Sequence, residues 1–443
     1  MRKYDSYKDS GIDWIGNIPT NWTTSKLKYH TKKIIDGAHF TPTYIEKGYG
    51  AIPFLRVTDL HNKEIDTQNI KYIPREEHEE LIKRCHPQKG DLLLSKNGTI
   101  GLMKIIDWDW EFSIFVSLCL IKFETELINS FFFYFFESNI VDRQLFESSQ
   151  KTSVTNLHLE KIKELRLTLP PVEEQTQIAN YLDQKTTQID DLISKKEKLI
   201  QLLEEERIAI INQAVTKGLN PEAPMKDSGI EWLGDIPEHW EVWKISHAFK
   251  KLGSGTTPES GNPKYHSDGT INWLNTGDLN NGVLESCSKK ITVDALEDYS
   301  SLKVYPAGSL VIAMYGATIG KTAIVNFETT TNQACCVFTD SDIIDIKFLQ
   351  YWFTAKKEHI INLSVGGGQP NISQQILRNV RLGAPSFDEQ LEIVEYLKDK
   401  ESKFINLKNK LMNEIELLKE YKTALISEVV TGKVDVRNYK TEN

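Results

Sequence analysis

Fifteen residues, KDSGIDWIGNIPTNW from Lys8 to Trp22, come back 218 residues later as KDSGIEWLGDIPEHW from Lys226 to Trp240, with ten positions identical. The echo continues in order along the chain. VTDL (Val57–Leu60) returns as TGDL (Thr276–Leu279), and GDLLLSKNGTIG (Gly90–Gly101) returns as GSLVIAMYGATIG (Gly308–Gly320). Thr41-Pro42 meets Thr257-Pro258, and LPPVEEQTQIANYL (Leu169–Leu182) meets APSFDEQLEIVEYL (Ala384–Leu397). The copies even end alike, AVTKG (Ala214–Gly218) against VVTGK (Val429–Lys433). The chain is one unit, duplicated. Two copies are too few for a solenoid, so a two-fold pseudo-symmetric arrangement is expected.

Each copy follows the same plan. Short β-rich runs come first: AIPFLRV (Ala51–Val57), DLLLS (Asp91–Ser95) and VSLCLIKF (Val116–Phe123), broken by Gly, Pro and Asn turns. A helix-like segment follows, SFFFYFFESNIVDRQLF (Ser130–Phe146), matched by KFLQYWFTAKKEHIINL (Lys347–Leu363). Then comes a long proline-free stretch with Pro170 and Pro171 just before it and Gly218 just after, a helix start and stop. Its spacing alternates three and four. One seam reads Leu182, Lys185, Ile189, Leu192, Lys196, Leu199, Leu203, Glu206 and Ile210; the second reads Leu397, Lys400, Phe404, Leu407, Leu411, Glu414, Leu418, Tyr421 and Leu425. At ~1.5 Å per residue such a helix reaches roughly 55–60 Å. It is too long to bury its whole stripe on its own small domain, which is the alternative arrangement. The two helices are therefore expected to pack on each other. Running antiparallel, they make a rod with a globular domain at each end. The expected fold class is α+β: two pseudo-symmetric α/β domains, at residues 1–169 and 218–384, joined by two long antiparallel coiled-coil helices, at 170–217 and 385–437.

Composition excludes several function classes. No run of eighteen apolar residues exists to span a membrane, and the amino-terminal MRKYDSYKDSG has no hydrophobic signal core. Five cysteines without CxxC spacing point to a reducing, cytoplasmic setting, and adjacent Cys335 and Cys336 are expected on two faces of a strand. YGATIGKT (Tyr315–Thr322) approaches a phosphate loop, but three residues rather than four separate Gly316 from Gly320, and the matching NGTIGLM has no lysine. SVGGGQPN (Ser364–Asn371) reads as a loop, without the strand-then-helix context of a dinucleotide fingerprint. No HExxH, GxSxG or Asn/Asp-Pro-Pro-aromatic motif is present. Nothing in the motifs suggests covalent chemistry. The net charge of −9 argues mildly against nucleic acid, yet a binding face need only be positive locally, and Lys26, Lys28, Lys32, Lys33, Lys250 and Lys251 form clusters.

A duplicated unit of β-rich domain plus long helix, carrying Ile18-Pro19 with Trp22, Ile236-Pro237 with Trp240, TGDL, GATIG with GTIG, and a proline followed by Glu174-Gln175 or Glu389-Gln390, resembles the specificity subunits of Type I restriction–modification systems. The resemblance covers essentially the whole chain. It implies two target-recognition domains, each reading one half of a split site in double-stranded DNA, and helices that act as spacer. It also implies two attached methylation subunits, to which restriction subunits are added. The chain itself would carry no catalytic residues; S-adenosylmethionine, ATP and magnesium would belong to the partner chains. The alternative is a stand-alone duplicated DNA-binding or scaffold protein without such partners.

On this reading, positions identical between copies are scaffold: Asp59/Asp278, Thr99/Thr318, Gly101/Gly320, Gln175/Gln390, and the tryptophans Trp14, Trp22, Trp232 and Trp240 as packing anchors. Positions that differ are candidate readers. In the first copy these are Arg56, Lys96, Asn97 and Lys151. In the second they are Lys264, Asn275, Tyr315, Lys321, Gln369 and Asn371. Arg suits guanine, Asn and Gln suit adenine, and Lys mostly meets phosphate. The plain alternative for each is a solvated loop residue.

Overall fold

The computed structural model describes residues 2–61, 64–146, 156–364 and 371–439. The chain divides into two compact units: residues 1–196 with 413–443, and residues 197–412. The C-terminal part of the second long helix thus belongs with the first copy of the globular domain. The fifteen-residue repeat is a small hairpin in each unit. Tyr7–Asp9 pairs with Asn17–Pro19, and Met225–Asp227 pairs with Asp235–Pro237. Its tryptophans Trp22 and Trp240 are fully buried, as anchors should be.

Both units are built on the same four-stranded antiparallel arrangement. In the first, the order across the sheet is Met103–Ile105, Leu92–Ser95, Leu118–Phe123, Thr31–Asp36. In the second it is Thr322–Val325, Leu310–Ala313, Cys335–Phe338, Leu252–Gly253, with Val283–Leu284 added beside Thr322–Val325. The central strands of the sheets are buried on both faces and read as continuous apolar runs rather than alternating ones. Cys335 joins one apolar cluster and Cys336 another, which places them on opposite faces. Gly37 and Gly255 hold one position in the two units. A Cβ there would lie 2.0 Å from the Ile114 carbonyl oxygen and 1.7 Å from that of Thr331, so only glycine admits the approach of the strands. The segment expected as one helix after the sheet is two, Asn129–Phe136 and Asn139–Phe146, and likewise Ile346–Ala355 and Lys357–Asn362 in the second unit.

The long helices run Val172–Lys217 and Phe387–Val430, 46 and 44 residues. The first starts after Pro170-Pro171 and stops at Gly218, whose φ of 76° is the left-handed stop expected of glycine. Inside the first unit the helices run antiparallel: Lys196 reaches Glu414 at 2.6 Å and Asp190 reaches Lys422 at 2.7 Å. Inside the second, Arg207 reaches Glu401 at 2.7 Å. The seam keeps Leu182, Ile189, Lys196, Leu203 and Ile210, and Leu397, Phe404, Leu411, Leu418 and Leu425. Its alternate positions fall one residue later than the sequence reading. Thr186, Ile193, Ile200 and Arg207 face inward, while Leu192 and Leu199 are exposed. On the other helix Ile415 is buried, and Leu407 and Tyr421 are exposed. Two heptad frames share every seventh position and differ by one residue at the other. Leu192 and Leu199 satisfy one frame and Ile193 and Ile200 the other, so the apolar pattern of a single helix does not choose between them.

The Glu-Gln pair after the proline is a clamp, made twice. Gln175 is buried; its Oε1 accepts from the Ile128 N–H at 3.0 Å, and its Nε2 donates to the Glu126 and Pro170 carbonyls at 2.9 Å. Gln390 repeats this with Asp345 N–H at 2.8 Å and the carbonyls of Ile343 at 2.8 Å and Pro385 at 3.0 Å. The preceding glutamate takes a donor from the repeated hairpin region: Tyr4 on Glu174 at 2.6 Å, Trp240 on Glu389 at 3.1 Å. Gln175→Leu keeps the bulk but strands three main-chain groups in the interior. It is expected to cost roughly 3 kcal/mol, measured as a lower urea midpoint by near-ultraviolet circular dichroism; an unchanged midpoint would remove the clamp from the argument.

Candidate nucleic-acid interface

Strand Leu92–Ser95 ends at Lys96-Asn97, and strand Leu310–Ala313 ends at Met314-Tyr315. The same crossing follows in both units. Leu157 N–H donates to the Lys96 carbonyl at 2.7 Å, and Ile372 N–H donates to the Met314 carbonyl at 2.7 Å. Asn97 bridges Asn156, and Tyr315 bridges Asn371. Identical main-chain contacts therefore carry different side chains, and the structure brings the two candidates Tyr315 and Asn371 together. Lys151 and Gln369 lie outside the described residues.

In the first unit the scaffold residue Asp59 is completely buried and accepts from Arg56 three times. The main-chain N–H lies at 2.7 Å, Nε at 3.1 Å and the terminal nitrogen at 2.8 Å. Arg56 also donates to the Asn69 carbonyl at 3.3 Å, so its fork is largely committed to the protein. Lys96 points inward: it is 6% exposed, with its ammonium 3.0 Å from Asp36. Asp36, itself buried, also holds Arg84 at 2.6 Å and His39 at 3.0 Å. Burial alone would push this carboxyl up, but hydrogen bonds from His39, Lys96 and Arg84 outweigh it and hold its pKa at about 2.

The second unit puts an amide at one of these positions. Asn275 holds the position of Arg56, before the turn closed by Asp278, which accepts its N–H at 2.9 Å. The Asn275 side chain donates to the Trp273 carbonyl at 3.0 Å and accepts from Asn332 at 3.1 Å. Next to Asn332, Gln333 accepts from the Thr257 hydroxyl at 2.6 Å. Burial pushes the Tyr315 phenol up. Lys321 is half-buried on the loop that closes back on Ala313. Lys264 is apart from this group, in a short helix, paired to Asp298.

Asp36, His39, Arg84, Thr257, Asn332 and Gln333 were missing from the sequence candidates. One signal was available: between the equivalent Gly37/Gly255 and Thr41/Thr257 the first copy has three residues and the second has one. The basic clusters of the sequence are partly paired. Lys26 and Lys28 both sit on Glu164, and Lys250 sits on Asp342. Among the described residues no group of three or more His, Cys, Asp or Glu is gathered to hold a metal ion, and no helix is long and apolar enough to cross a membrane.

Known proteins give the same duplication. Residues 19–202 and again 237–417 match the family described as Type I restriction modification DNA specificity domain. The chain is 24% identical over 434 residues, 96% of each sequence, to a putative type I restriction enzyme MjaX specificity subunit of Methanocaldococcus jannaschii. A chain from a structure described as the structural basis underlying complex assembly and conformational transition of the type I R-M system superposes with a TM-score of 0.73. It is 16% identical and covers 94% of this chain and 99% of that one. The crystal structure of an HsdS subunit from Thermoanaerobacter tengcongensis gives 0.55 at 16% identity, covering 94% and 98%. At such identities these superpositions speak for the fold.

The Asp36 cluster predicts an acid-sensitive contribution to stability. The folded carboxyl titrates near 2, below its ordinary 3.8. Its stabilisation is thus fully present above about pH 4 and lost as pH falls toward 2. Asp36→Asn should flatten that part of a stability-versus-pH profile measured by urea denaturation. A variant that keeps the wild-type slope between pH 4 and 2 would contradict the assignment.

Proposed function

The chain belongs to the Type I restriction–modification DNA specificity family, and from that membership we propose that it is the non-catalytic, sequence-reading subunit of a Type I restriction–modification complex. Each unit reads one half of a bipartite site in double-stranded DNA. The observation that carries this is the contrast between the copies: the clamps, turns and sheet are the same, while the polar edge changes from the Asp36, Arg84 and Arg56 group to the Asn275, Asn332 and Gln333 group. A protein that reads two different half-sites needs just that division between constant frame and variable edge. Of the sequence candidates, Asn97, Asn275, Tyr315, Lys321 and Asn371 stand on the edge as readers, with Arg56 held for recognition by Asp59. Lys96 acts through its ion pair with Asp36.

Both long helices leave apolar side chains exposed outside their seam, among them Leu192, Leu199, Leu202, Ile405, Met412 and Leu417. Such side chains on adjoining helices ask to be covered, and we assign them to two methylation subunits, with restriction subunits joining the complex. S-adenosylmethionine, ATP and magnesium would be bound by those partners. The isolated chain is then expected to show no methyltransferase, nuclease or ATPase turnover. Its affinity for DNA should rise strongly when the methylation subunits are added, and fall with salt.

Replacing residues 24–160 with the equivalent domain of a related subunit should change one half of the methylated sequence and leave the other as it was. An unchanged site, or two changed halves, would refute the one-unit, one-half reading.

The helices would set the unread spacer. The ion pairs identify facing heptads, Ile200–Glu206 and Phe404–Lys410, whose joint removal spares the Lys196–Glu414 and Arg207–Glu401 pairs. That deletion removes roughly 10 Å at ~1.5 Å per residue. With base pairs rising ~3.4 Å, the spacer should contract by about three. The same change turns one half-site by about three tenths of a turn at ~10.5 base pairs per turn, so affinity should fall as well. Methylome sequencing that returned the original spacer at full activity would refute the ruler and leave the two half-sites standing.

A further inference from the structure

The first unit carries a surface with no counterpart in the second. Its centre is Asp36, buried, holding Arg84 and Lys96 by hydrogen-bonded ion pairs and His39 beside them. The main-chain carbonyl of Gly37 accepts a further bond from Arg84 at 2.8 Å. One carboxylate is shared by two permanent cations, and Lys33 comes onto the Arg84 carbonyl as well. Glu80 lines the same hollow and is paired with Lys83. Lys96 is sealed inside, so the excess positive charge emerges at Arg84, whose side chain is 49% exposed. Next to it Phe40 is 57% exposed. Both line a hollow of about 470 Å³ with His39 and Ser113.

Phe40 stands out because the loop around it is pinned, not because the chain there is loose. Ala38 N–H donates to the Ile114 carbonyl at 2.8 Å, Pro42 is buried, Thr43 N–H donates to Glu77 at 3.0 Å, and Ile45 N–H donates to the Tyr72 carbonyl at 2.9 Å. An exposed ring on a fixed loop beside an anchored guanidinium is a preorganised contact.

The copies decide what it contacts. Sheet register and the Gly37/Gly255 approach place Ser254 where Asp36 stands. At the offset of 218, Lys96 meets Met314 and Arg84 meets Leu302. His39 and Phe40 fall in the stretch where the first copy is two residues longer. A surface that docks two identical protein partners must be present in both copies; one that reads a half-site different from its neighbour must not.

We propose that Arg84 and Phe40 are specificity-determining residues for the half-site read by the first unit, with Asp36 as the positioning residue that fixes Arg84. This rests on the DNA-reading function proposed above. Arg84 offers its remaining N–H donors to a base edge, and Phe40 lays its ring on an adjacent base or thymine methyl, as these side chains do in known readout.

The test uses the full chain with its cognate methylation subunits on a pool of DNA with both half-sites randomised, read by methylation sequencing. Phe40→Ala changes an exposed side chain and should leave the melting temperature unaltered, whereas Arg84→Gln takes one of two permanent cations from buried Asp36 and should lower it. Each is expected to relax one or more base positions of a single half-site roughly 10- to 100-fold, with the other half retained. Asp36→Asn should relax the same positions as Arg84→Gln, a coincidence that simple destabilisation would not produce. Unchanged preferences in both halves would overturn the inference, as would both halves relaxing together. Weaker binding of the methylation subunits with both half-sites intact would overturn it too, by making this a protein-docking face. If the unaltered complex methylates no bipartite site, the DNA-reading function itself fails, before any variant is made.

Discussion

The largest apolar core of each unit is completed by the ends of two different helices. In the first unit, Leu182 from the start of one long helix and Leu425, Ile426, Val429 and Val430 from the end of the other enter the core that holds Ile18, Trp22 and Leu167. In the second, Leu397 from one start and Ile211, Ala214 and Val215 from the other end enter the core around Ile236 and Trp240. Removing either contribution would expose a face of buried tryptophan and aliphatic side chains, at about 25 cal/mol per Å² of apolar surface. The tail after the second helix depends on the same packing. Gly432 turns with φ of 71° so closely over Pro19 that a Cβ would lie 2.3 Å from its Cδ, and Asp435 N–H then donates to the Arg2 carbonyl at 2.9 Å. The duplication is thus not an economy of sequence. A single copy lacks part of the core it needs.

With the cores closed in this way, the main chain of the variable edge can be held without help from its side chains. The Lys96 and Met314 carbonyls receive the same bond from Leu157 and Ile372, and the turns at Asp59 and Asp278 are both shut by a carboxylate on a main-chain N–H. The side chains there are released from folding duty to differing degrees. Asn275 and Gln333 meet Asn332 and Thr257 through amides, which reorient at small cost. The first unit instead uses charge, and a buried carboxylate must keep its cations. Exchange of an edge side chain in the second unit is therefore a local matter, whereas in the first Asp36, Lys96 and Arg84 are coupled.

The sequence made the fold legible wherever a pattern was written twice. The duplicated plan, the helix limits at Pro171 and Gly218, the two faces at Cys335-Cys336 and the buried Trp22 and Trp240 all follow from repeats and local chemistry. The helix frame was legible only modulo one residue, since Leu192 and Leu199 mimic a seam that Ile193 and Ile200 occupy. The break between the paired short helices, at Ser138 and Lys356, left no proline or glycine to mark it. The polar edge was the least legible part. Arg84 and Asp36 are 48 residues apart, and Lys96 reads as a surface lysine until the carboxylate beneath it is seen. Comparing the copies located where the chain differs; only tertiary contact located which differences share a charge.

The same reasoning resolves the acidic balance of the chain. A net charge of −9 and several lysine clusters seem to pull in opposite directions. In the structure the clusters at Lys26, Lys28, Lys250 and Lys264 each end on a carboxylate at the surface, where such pairs contribute little and leave little field. Beside Asp36 two permanent cations share one carboxylate, and Arg84 carries the excess to the surface. Counting basic residues along the sequence measures potential before pairing; a phosphate or base edge meets only what pairing leaves. By that measure Arg84, half-exposed beside Asp36, offers more than its place in an acidic chain suggests.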